Sequence, residues 1–299
     1  MIARRPVAFH TLDVFTDTAF GGNPLAVVLD AGALTGEQMQ RIAGEFNLSE
    51  TAFVSPPERG GTHRVRIFTP QDEMPFAGHP TIGTALLLSE LDPAAGARLV
   101  FEEGVGPVPV EVRREGGAAF AELQAAQKVE VRPAPVEADE LAALLSLAPA
   151  DIAADAPGLT AASCGVPFLF VPLASAGALG RARVDVARWK AALSGTWSPH
   201  LFLYVFMDGR QGSLIRARMF APSLGIPEDP ATGGAVTALA AHFAELEPNR
   251  PARQWMVMQG VEMGRPSALR ARIERRADGS TAVFVGGTAV RMSQGELWL

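Results

Sequence analysis

The chain writes nearly the same phrase twice, and that repetition limits what it can fold into. Phe68-Thr69-Pro70-Gln71-Asp72-Glu73-Met74-Pro75 is echoed by Phe220-Ala221-Pro222-Ser223-Leu224-Gly225-Ile226-Pro227. The Phe and both Pro keep one offset of 152 positions (68 to 220, 70 to 222, 75 to 227). Each copy then runs through small residues into an apolar stretch, Ala77-Gly78-His79-Pro80-Thr81-Ile82-Gly83 in one and Asp229-Pro230-Ala231-Thr232-Gly233-Gly234-Ala235 in the other. A looser echo pairs Gly22-Asn23-Pro24-Leu25-Ala26-Val27-Val28 with Gly165-Val166-Pro167-Phe168-Leu169-Phe170-Val171. Three aligned anchors imply two equivalent halves, with one site expected at the seam.

Short alternating or apolar runs bounded by Gly, Pro and Asp predict strands throughout. In the first half they fall near Val7–Phe15, Pro24–Leu29, Thr51–Ser55, His63–Phe68, Arg98–Glu103, Pro107–Arg113 and Ala118–Leu123. In the second they fall near Val166–Leu173, His200–Met207, Ser213–Phe220, Gln254–Gln259, Ala268–Arg275, Thr281–Val285 and Ala289–Ser293. Thr35-Gly36-Glu37-Gln38 fits a capping box opening a helix over Glu37–Phe46. Glu137–Leu147 and Asp185–Leu193 read as amphipathic surface helices. Thr81–Ser89 and Thr232–Leu246 are apolar or small almost all round, the pattern of a helix enclosed by protein. The expected fold is therefore α+β, each half a barrel-like, mainly antiparallel sheet around a central helix. The expected domains are 1–128, joined by a returning strand at about 288–299, and 129–287. The join falls in Gln124–Pro135, which carries Pro133 and Pro135 and little periodicity.

Composition narrows the function. A net charge of −6 with dispersed basic residues argues against a broad nucleic-acid footprint. One cysteine, Cys164, leaves no disulfide framework and no cysteine metal cluster. No run approaches the roughly 20 apolar residues of a membrane span, and the Arg-bearing Met1–Pro6 stretch is not followed by a leader-like run. The expected compartment is the cytoplasm.

Both apolar helices open without bulky side chains, which leaves first-turn N–H groups and the positive end of the helix dipole available to a carboxylate. Gly78, Gly83, Gly233 and Gly234 would let a ligand approach the backbone there. His79 stands at the first opening and Asp229 just ahead of the second. Each also has a plain structural reading, His79 as a satisfied core group and Asp229 as a helix cap. Glu50 lies where a helix gives way to a strand, a junction that can hold a carboxylate over a site or merely leave a solvated charge.

Taken together, Asn23-Pro24-Leu25-Ala26-Val27-Val28, Leu48-Ser49-Glu50-Thr51-Ala52-Phe53, Arg66-Ile67-Phe68-Thr69-Pro70, Pro75-Phe76-Ala77-Gly78-His79-Pro80-Thr81 and Glu228-Asp229-Pro230-Ala231-Thr232-Gly233 resemble the phenazine-biosynthesis isomerase (PhzF-like) family. Gln259-Gly260 and Met263-Gly264-Arg265-Pro266-Ser267 extend the match. The resemblance implies a diaminopimelate-epimerase-like fold, no cofactor, a homodimer, and an isomerase acting on a small carboxylic acid. It implies Glu50 as the acid/base, His79 and Asp229 orienting the substrate, and Ser49, Gly78, Gly233 and Gly234 lining the carboxylate and ring contacts. The family usually has Ser where this chain has Gly234, which implies a roomier pocket. The two-thiol racemases of related fold need a Cys at each helix opening; Ala77 and Pro230 occupy those neighbourhoods here. An unperturbed Glu, with a pKa of about 4.3, is a feeble base at neutral pH. Burial in an apolar cleft is expected to raise Glu50 toward the working range. The alternatives are a non-catalytic interaction protein on the same fold, and a lyase or hydrolase using Glu50 and Asp229 as paired carboxylates.

Overall fold

The computed structural model describes residues 6–153, 157–209 and 212–299. The Met1–Arg5 segment, read above for a leader, lies outside them. The chain divides into two compact units, Met1–Gln124 with Gly286–Leu299, and Ala125–Val285. Among the described residues, no helix is long and apolar enough to cross a membrane.

The first unit contains strands β1 (Pro6–Val14), β2 (Asn23–Val28), β3 (Glu50–Ser55), β4 (His63–Phe68), β5 (Glu73–Met74), β6 (Arg98–Glu103), β7 (Gly106–Glu115) and β8 (Ala118–Gln124), with helices α1 (Gly36–Phe46) and α2 (Gly78–Leu91). Pairing runs β1–β2 antiparallel, β2–β3 parallel, β3–β4 antiparallel, β4–β6 parallel, then β6–β7 and β7–β8 antiparallel. The returning strand Ala289–Trp298 lies antiparallel to β1 on its other side. This curved sheet packs around α2, which touches β1, β2, β3, β7 and β8. Every residue of α2 from Gly78 to Leu87 is buried, as its all-round apolar sequence demands. Gly83 makes the closest approach: a Cβ there would stand 2.5 Å from Leu25 and 2.6 Å from Val14. Helix α1 covers the outside of the sheet, with Met39, Ile42 and Ala43 packed on Val28, Phe53 and Phe68. It opens with the expected capping box, in which the Thr35 hydroxyl accepts from Gln38 N and the Gln38 side chain accepts from Thr35 N.

The second unit repeats this order. Its strands are β9 (Glu130–Pro133), β10 (Thr160–Ser163), β11 (Pro167–Pro172), β12 (His200–Phe206), β13 (Leu214–Ala221), β14 (Ile226–Asp229), β15 (Ala252–Gln259), β16 (Ser267–Arg275) and β17 (Thr281–Gly287). Its helices are α3 (Ala138–Leu144), α4 (Ala176–Arg181), α5 (Val186–Ala192) and α6 (Gly233–Leu246). Pairing runs β10–β11 antiparallel, β11–β12 parallel, β12–β13 antiparallel, β13–β15 parallel and β15–β16 antiparallel, the same alternation as β1 to β7. The echo extends to side chains. Arg66 lies over Phe68 and grips Glu73 with two nitrogens; Arg218 lies over Phe220 and grips Glu228 likewise. Helix α6 is buried from Ala235 to Ala244, with Phe243 against Tyr204 and Trp255.

Strands β11 and β12 are apolar on both faces because both faces are covered. Leu169, Val171, Leu201 and Leu203 join a core with Leu141, Leu144 and Trp189 of α3 and α5. On the opposite face Phe170 meets Phe202, and Tyr204 meets Phe243 of α6. That explains continuous apolar runs where a half-buried strand would alternate.

The stretch Gln124–Pro135, where the join was expected, contains the short strand Glu130–Pro133, which pairs with β10. Strands β5, β9, β10 and β14 and helix α4 were absent from the sequence reading; each is six residues or fewer. The notion of a mainly antiparallel sheet holds with a qualification: each unit has two parallel pairs.

Gly260 makes a sharp stability test. It follows β15 with φ +72, and a Cβ there would stand 2.4 Å from the Arg265 carbonyl oxygen and 2.7 Å from that of Pro230. Both neighbours are backbone, so neither can rotate away. We expect Gly260→Ala to destabilise the protein by about 2 kcal/mol or more, combining left-handed strain with displaced backbone. Urea unfolding followed by circular dichroism measures this; a change below about 0.5 kcal/mol would show that the Gly260 turn relaxes freely.

Candidate active site

The first unit brings four of the expected site residues together. Asn47 ends α1 in the left-handed region at φ 51, and its N–H returns to Ala43 O. This reversal sends Ser49 and Glu50 directly into β3, where Glu50 registers against Leu25 of β2. Strand β2 also positions His79. The Pro24 carbonyl lies 3.3 Å from His79 Nε2, and Gly83 lets α2 sit tightly on Leu25. Thus one strand places the carboxylate through its register and the imidazole through its backbone.

His79 Nδ1 lies 3.1 Å from Glu50 Oε2. The imidazole is 3% exposed and the carboxylate side chain 18% exposed. The Ser49 hydroxyl donates to Asn23 Oδ1 at 3.0 Å. A carbonyl oxygen only accepts, so Nε2 carries a hydrogen to meet Pro24. The remaining proton belongs to the Glu50–His79 pair. It rests on Nδ1 as carboxylate and imidazolium, or on Oε2 as carboxylic acid and neutral imidazole.

Here the structure reverses an expectation. Burial does push the Glu50 carboxyl upward, but the His79 ring against it holds it below the ordinary carboxylate range. The cleft is not simply apolar. Its acid stands against an imidazole that, as imidazolium, favours the ionised carboxylate. His79 thus contacts the carboxylate it was expected to work beside.

Gly78 precedes His79 in the first turn of α2, and Ala77 caps that helix without a side-chain hydrogen bond. The chemistry of an N-terminus open to an anion is therefore present.

The second unit holds Asp229, Gly233 and Gly234. Asp229 ends β14 and is buried; it does not cap α6. The cap is Thr232, whose hydroxyl donates to Asp229 Oδ2 at 2.5 Å. Gln259 fixes this turn with three bonds. Its Nε2 donates to Asp229 O at 2.8 Å and to Thr232 Oγ1 at 2.9 Å, while its Oε1 accepts from Thr232 N at 3.1 Å. Gln259 is 0% exposed, a buried amide at the end of an apolar strand. The sequence reading quoted Gln259, Thr232 and Asn23 only as parts of motifs. Their signal was available as polar side chains inside apolar runs. Gly234 is not enforced by crowding: a Cβ there would meet Phe168 at 3.9 Å, an ordinary contact. The space a serine would fill is open.

Cys164 is a free, part-buried thiol whose pKa burial pushes up to about 12, so it is no nucleophile at neutral pH. Among the described residues, no group of three or more His, Cys, Asp or Glu side chains is placed to hold a metal ion.

Comparison with known proteins places the chain among isomerase relatives. A protein named as an uncharacterized isomerase from Mesorhizobium japonicum is 42% identical, covering 96% of this chain and 97% of its own. The trans-2,3-dihydro-3-hydroxyanthranilate isomerase of Pseudomonas aeruginosa is 36% identical, covering 97% of this chain and 99% of its own. The crystal structure of a Bacillus anthracis phenazine biosynthesis protein of the PhzF family matches with a TM-score of 0.89 at 26% identity, over 99% of this chain and 100% of that one.

The Glu50–His79 pair yields a titration test. A folded-state pKa below the unfolded value contributes stability above the unfolded pKa, which is lost as pH falls through the folded one. Carbon-13 NMR of labelled Glu carboxyls should place Glu50 below about 4.3 in the native chain. In His79→Leu the compensating cation is gone while burial stays, so the midpoint should move above that value. An unmoved midpoint would show that His79 does not control the carboxylate.

The pattern of phenazine biosynthesis-like proteins, the PhzC-PhzF family, matches residues 12–295, and the chain belongs to that family.

Proposed function

We propose that this protein is a cofactor-independent isomerase that moves a proton between carbons of a small, unsaturated carboxylic acid, with Glu50 as the carrier. The observation that carries this reading is the 3.1 Å Glu50–His79 contact, with His79 fixed on Pro24. As carboxylate and imidazolium, the pair presents a base. Glu50 takes a proton from carbon, and the electrons left behind spread into the conjugated acid. As carboxylic acid, Glu50 then returns the proton to a different carbon, and the electron pair forms the new C–H bond. One two-way carrier suits such a shift better than a racemisation, which usually wants a group on each face.

His79 has two tasks in this scheme. Its positive charge keeps Glu50 ionised and ready in the resting protein, and its fixed ring aims Oε2. Removing it costs both. Ser49 and Gly78 are proposed as substrate contacts, and so are Asp229, Gly233 and Gly234. The last two offer main-chain amides. The absence of a serine side chain at position 234 favours an acid with more bulk there than the substrate of a Ser-bearing relative. The Pseudomonas aeruginosa relative is named for trans-2,3-dihydro-3-hydroxyanthranilate, which makes that acid the first compound to try. The reading includes a cytoplasmic location, from composition, and a homodimer, as the family resemblance implies; light scattering should give twice the chain's mass, and a monomer would contradict that part.

The deciding experiment is deuterium uptake from heavy water into a panel of small unsaturated carboxylic acids. Glu50→Gln keeps shape and hydrogen bonding but accepts no proton. It should lose about 10²–10⁴-fold in exchange or turnover with ligand affinity nearly kept, as expected for an acid–base group acting in the transition state. Asp229→Asn should weaken binding as well as turnover. Exchange in Glu50→Gln equal to that of the native chain would remove the acid–base assignment.

A further inference from the structure

The opening of α2 rests on a second carboxyl group that the proton-transfer scheme does not use. Glu103 ends β6 and is buried. Its Oε1 lies 2.7 Å from Thr81 Oγ1, and the same Thr81 hydroxyl lies 2.7 Å from the Ala77 carbonyl oxygen. A hydroxyl has a single hydrogen. Two close contacts to oxygens that could only accept would leave one unmade. The Ala77 carbonyl cannot donate, so Glu103 must. The consistent arrangement is a one-way chain in which Glu103 O–H donates to Thr81, and Thr81 O–H donates to Ala77. Glu103 Oε2 is buried with no hydrogen-bond partner among the described residues, tolerable for a neutral acid and costly for an anion.

The backbone around this chain is just as closely fitted. Val105 N donates to Pro75 O at 3.1 Å, and a Cβ on Gly104 would stand 2.7 Å from Pro75 Cα. The segment Glu103–Val105 therefore clamps both ends of the stretch Pro75–Thr81, which carries Gly78 and His79. Thr81 follows His79 by two residues, and Ala77 is the helix cap.

We propose that Glu103, held as a neutral carboxylic acid, is a positioning residue that acts through Thr81 to fix the α2 opening and with it His79. Loss of its proton would turn the Thr81 hydroxyl toward the new carboxylate and leave the Ala77 carbonyl with the longer 3.3 Å bond from Thr81 N, loosening the cap that presents His79 to Glu50. The inference deepens the proton-transfer reading but stands on the geometry of the first unit alone.

The cations nearby stand against other carboxylates, with Arg59 beside Glu102. Glu103 lines a cavity of about 140 Å³ that also carries Glu58, Arg59, Arg64, Arg66, Glu73 and Glu102. Arg64 is already paired with Glu58 and Arg66 with Glu73, while Glu102 accepts the amides of Glu58, Arg59 and Gly61. On the α2 side the nearest titratable group in sequence is His79, which is committed to Glu50. Burial pushes the Glu103 carboxyl up to about 8.

The sign follows directly. The folded chain keeps a proton that the unfolded chain releases near pH 4.3, so stability falls between there and about pH 8 and is level above. One such proton corresponds to a tenfold fall in the folding constant per pH unit across that window.

The test compares the native chain with Glu103→Gln and Glu103→Leu between pH 5.5 and 9.5. Glu103→Gln keeps a donor to Thr81 and cannot ionise; Glu103→Leu keeps neither contact. Urea unfolding reads stability, and proton–carbon NMR reads the His79 ring and the Thr81 methyl, assigned with His79→Asn and Thr81→Val. The native His79 and Thr81 signals should shift together with a midpoint near 8. In Glu103→Gln that transition should vanish, the His79 signal should stay at its neutral-pH native position, and the tenfold-per-unit decline should be lost. In Glu103→Leu the His79 signal should be displaced at every pH. A purely structural role would leave the variants alike and pH-independent in the His79 signal. Persistence of the alkaline transition in Glu103→Gln, or an undisplaced His79 in Glu103→Leu, would overturn the proposal. Neither readout requires a substrate, so failure here is separable from failure of the isomerase reading.

Discussion

A carboxylate and an imidazole 3.1 Å apart, both shielded from water, impose the main constraint on this protein. Neither group is comfortable alone in that position. A buried carboxylate without a partner would take up a proton, and a buried imidazolium would lose one. Together they form a neutral unit that holds one mobile proton, and much of the first unit serves to keep them in register. Asn47 turns the chain so that Glu50 starts β3, Pro24 offers the carbonyl that pins His79, and Gly83 removes the side chain that would lift α2 off the sheet.

The duplicated scaffold has been put to unequal chemical use. Both units share the same alternation of antiparallel and parallel pairs, a 14-residue enclosed helix, and an Arg stacked on a Phe while gripping a Glu. The polar groups at the two helix openings differ. In the first unit they form an acid–base pair supported by a Ser–Asn contact. In the second they form a fully bonded turn in which Gln259 satisfies Asp229 and Thr232. The first arrangement can move a proton; the second is built to stay still.

Much of the scaffold was legible in the sequence because its signals are local. The phrase at Phe68 and Phe220 announced the repeat, and the lack of Asp, Glu, Lys and Arg in Ile82–Leu88 and Ala235–Ala244 marked enclosed helices. Gln38, three residues after Thr35, marked the start of α1. The short strands were not legible. Thr160-Ala161-Ala162-Ser163 contains one β-branched residue and is a strand because β9 and β11 flank it. Ile226–Asp229 is a strand only through its pairing with β13. The electrostatics of Glu50 were misread for a related reason. Sequence placed Glu50 and His79 at two structural junctions 29 residues apart, but only the register of β3 on β2 and the seating of α2 make them neighbours. Burial alone then gave the wrong direction, because the partner that reverses it is distant in the chain. Glu103 was invisible for the same cause, one Glu of two in a strand end, distinguished only by the Thr81 hydroxyl above it.

The central claim is that Glu50 and His79 hold one proton between them while Nε2 keeps its own. Nitrogen-15 NMR of labelled histidine, with His79 assigned by its absence in His79→Leu, reads both ring nitrogens directly. The account predicts Nε2 protonated from pH 5.5 to 7.5 and Nδ1 carrying hydrogen shared with Glu50, with Nδ1 changing and Nε2 unchanged in Glu50→Gln. An unprotonated Nε2, with a neutral ring donating from Nδ1, would contradict it.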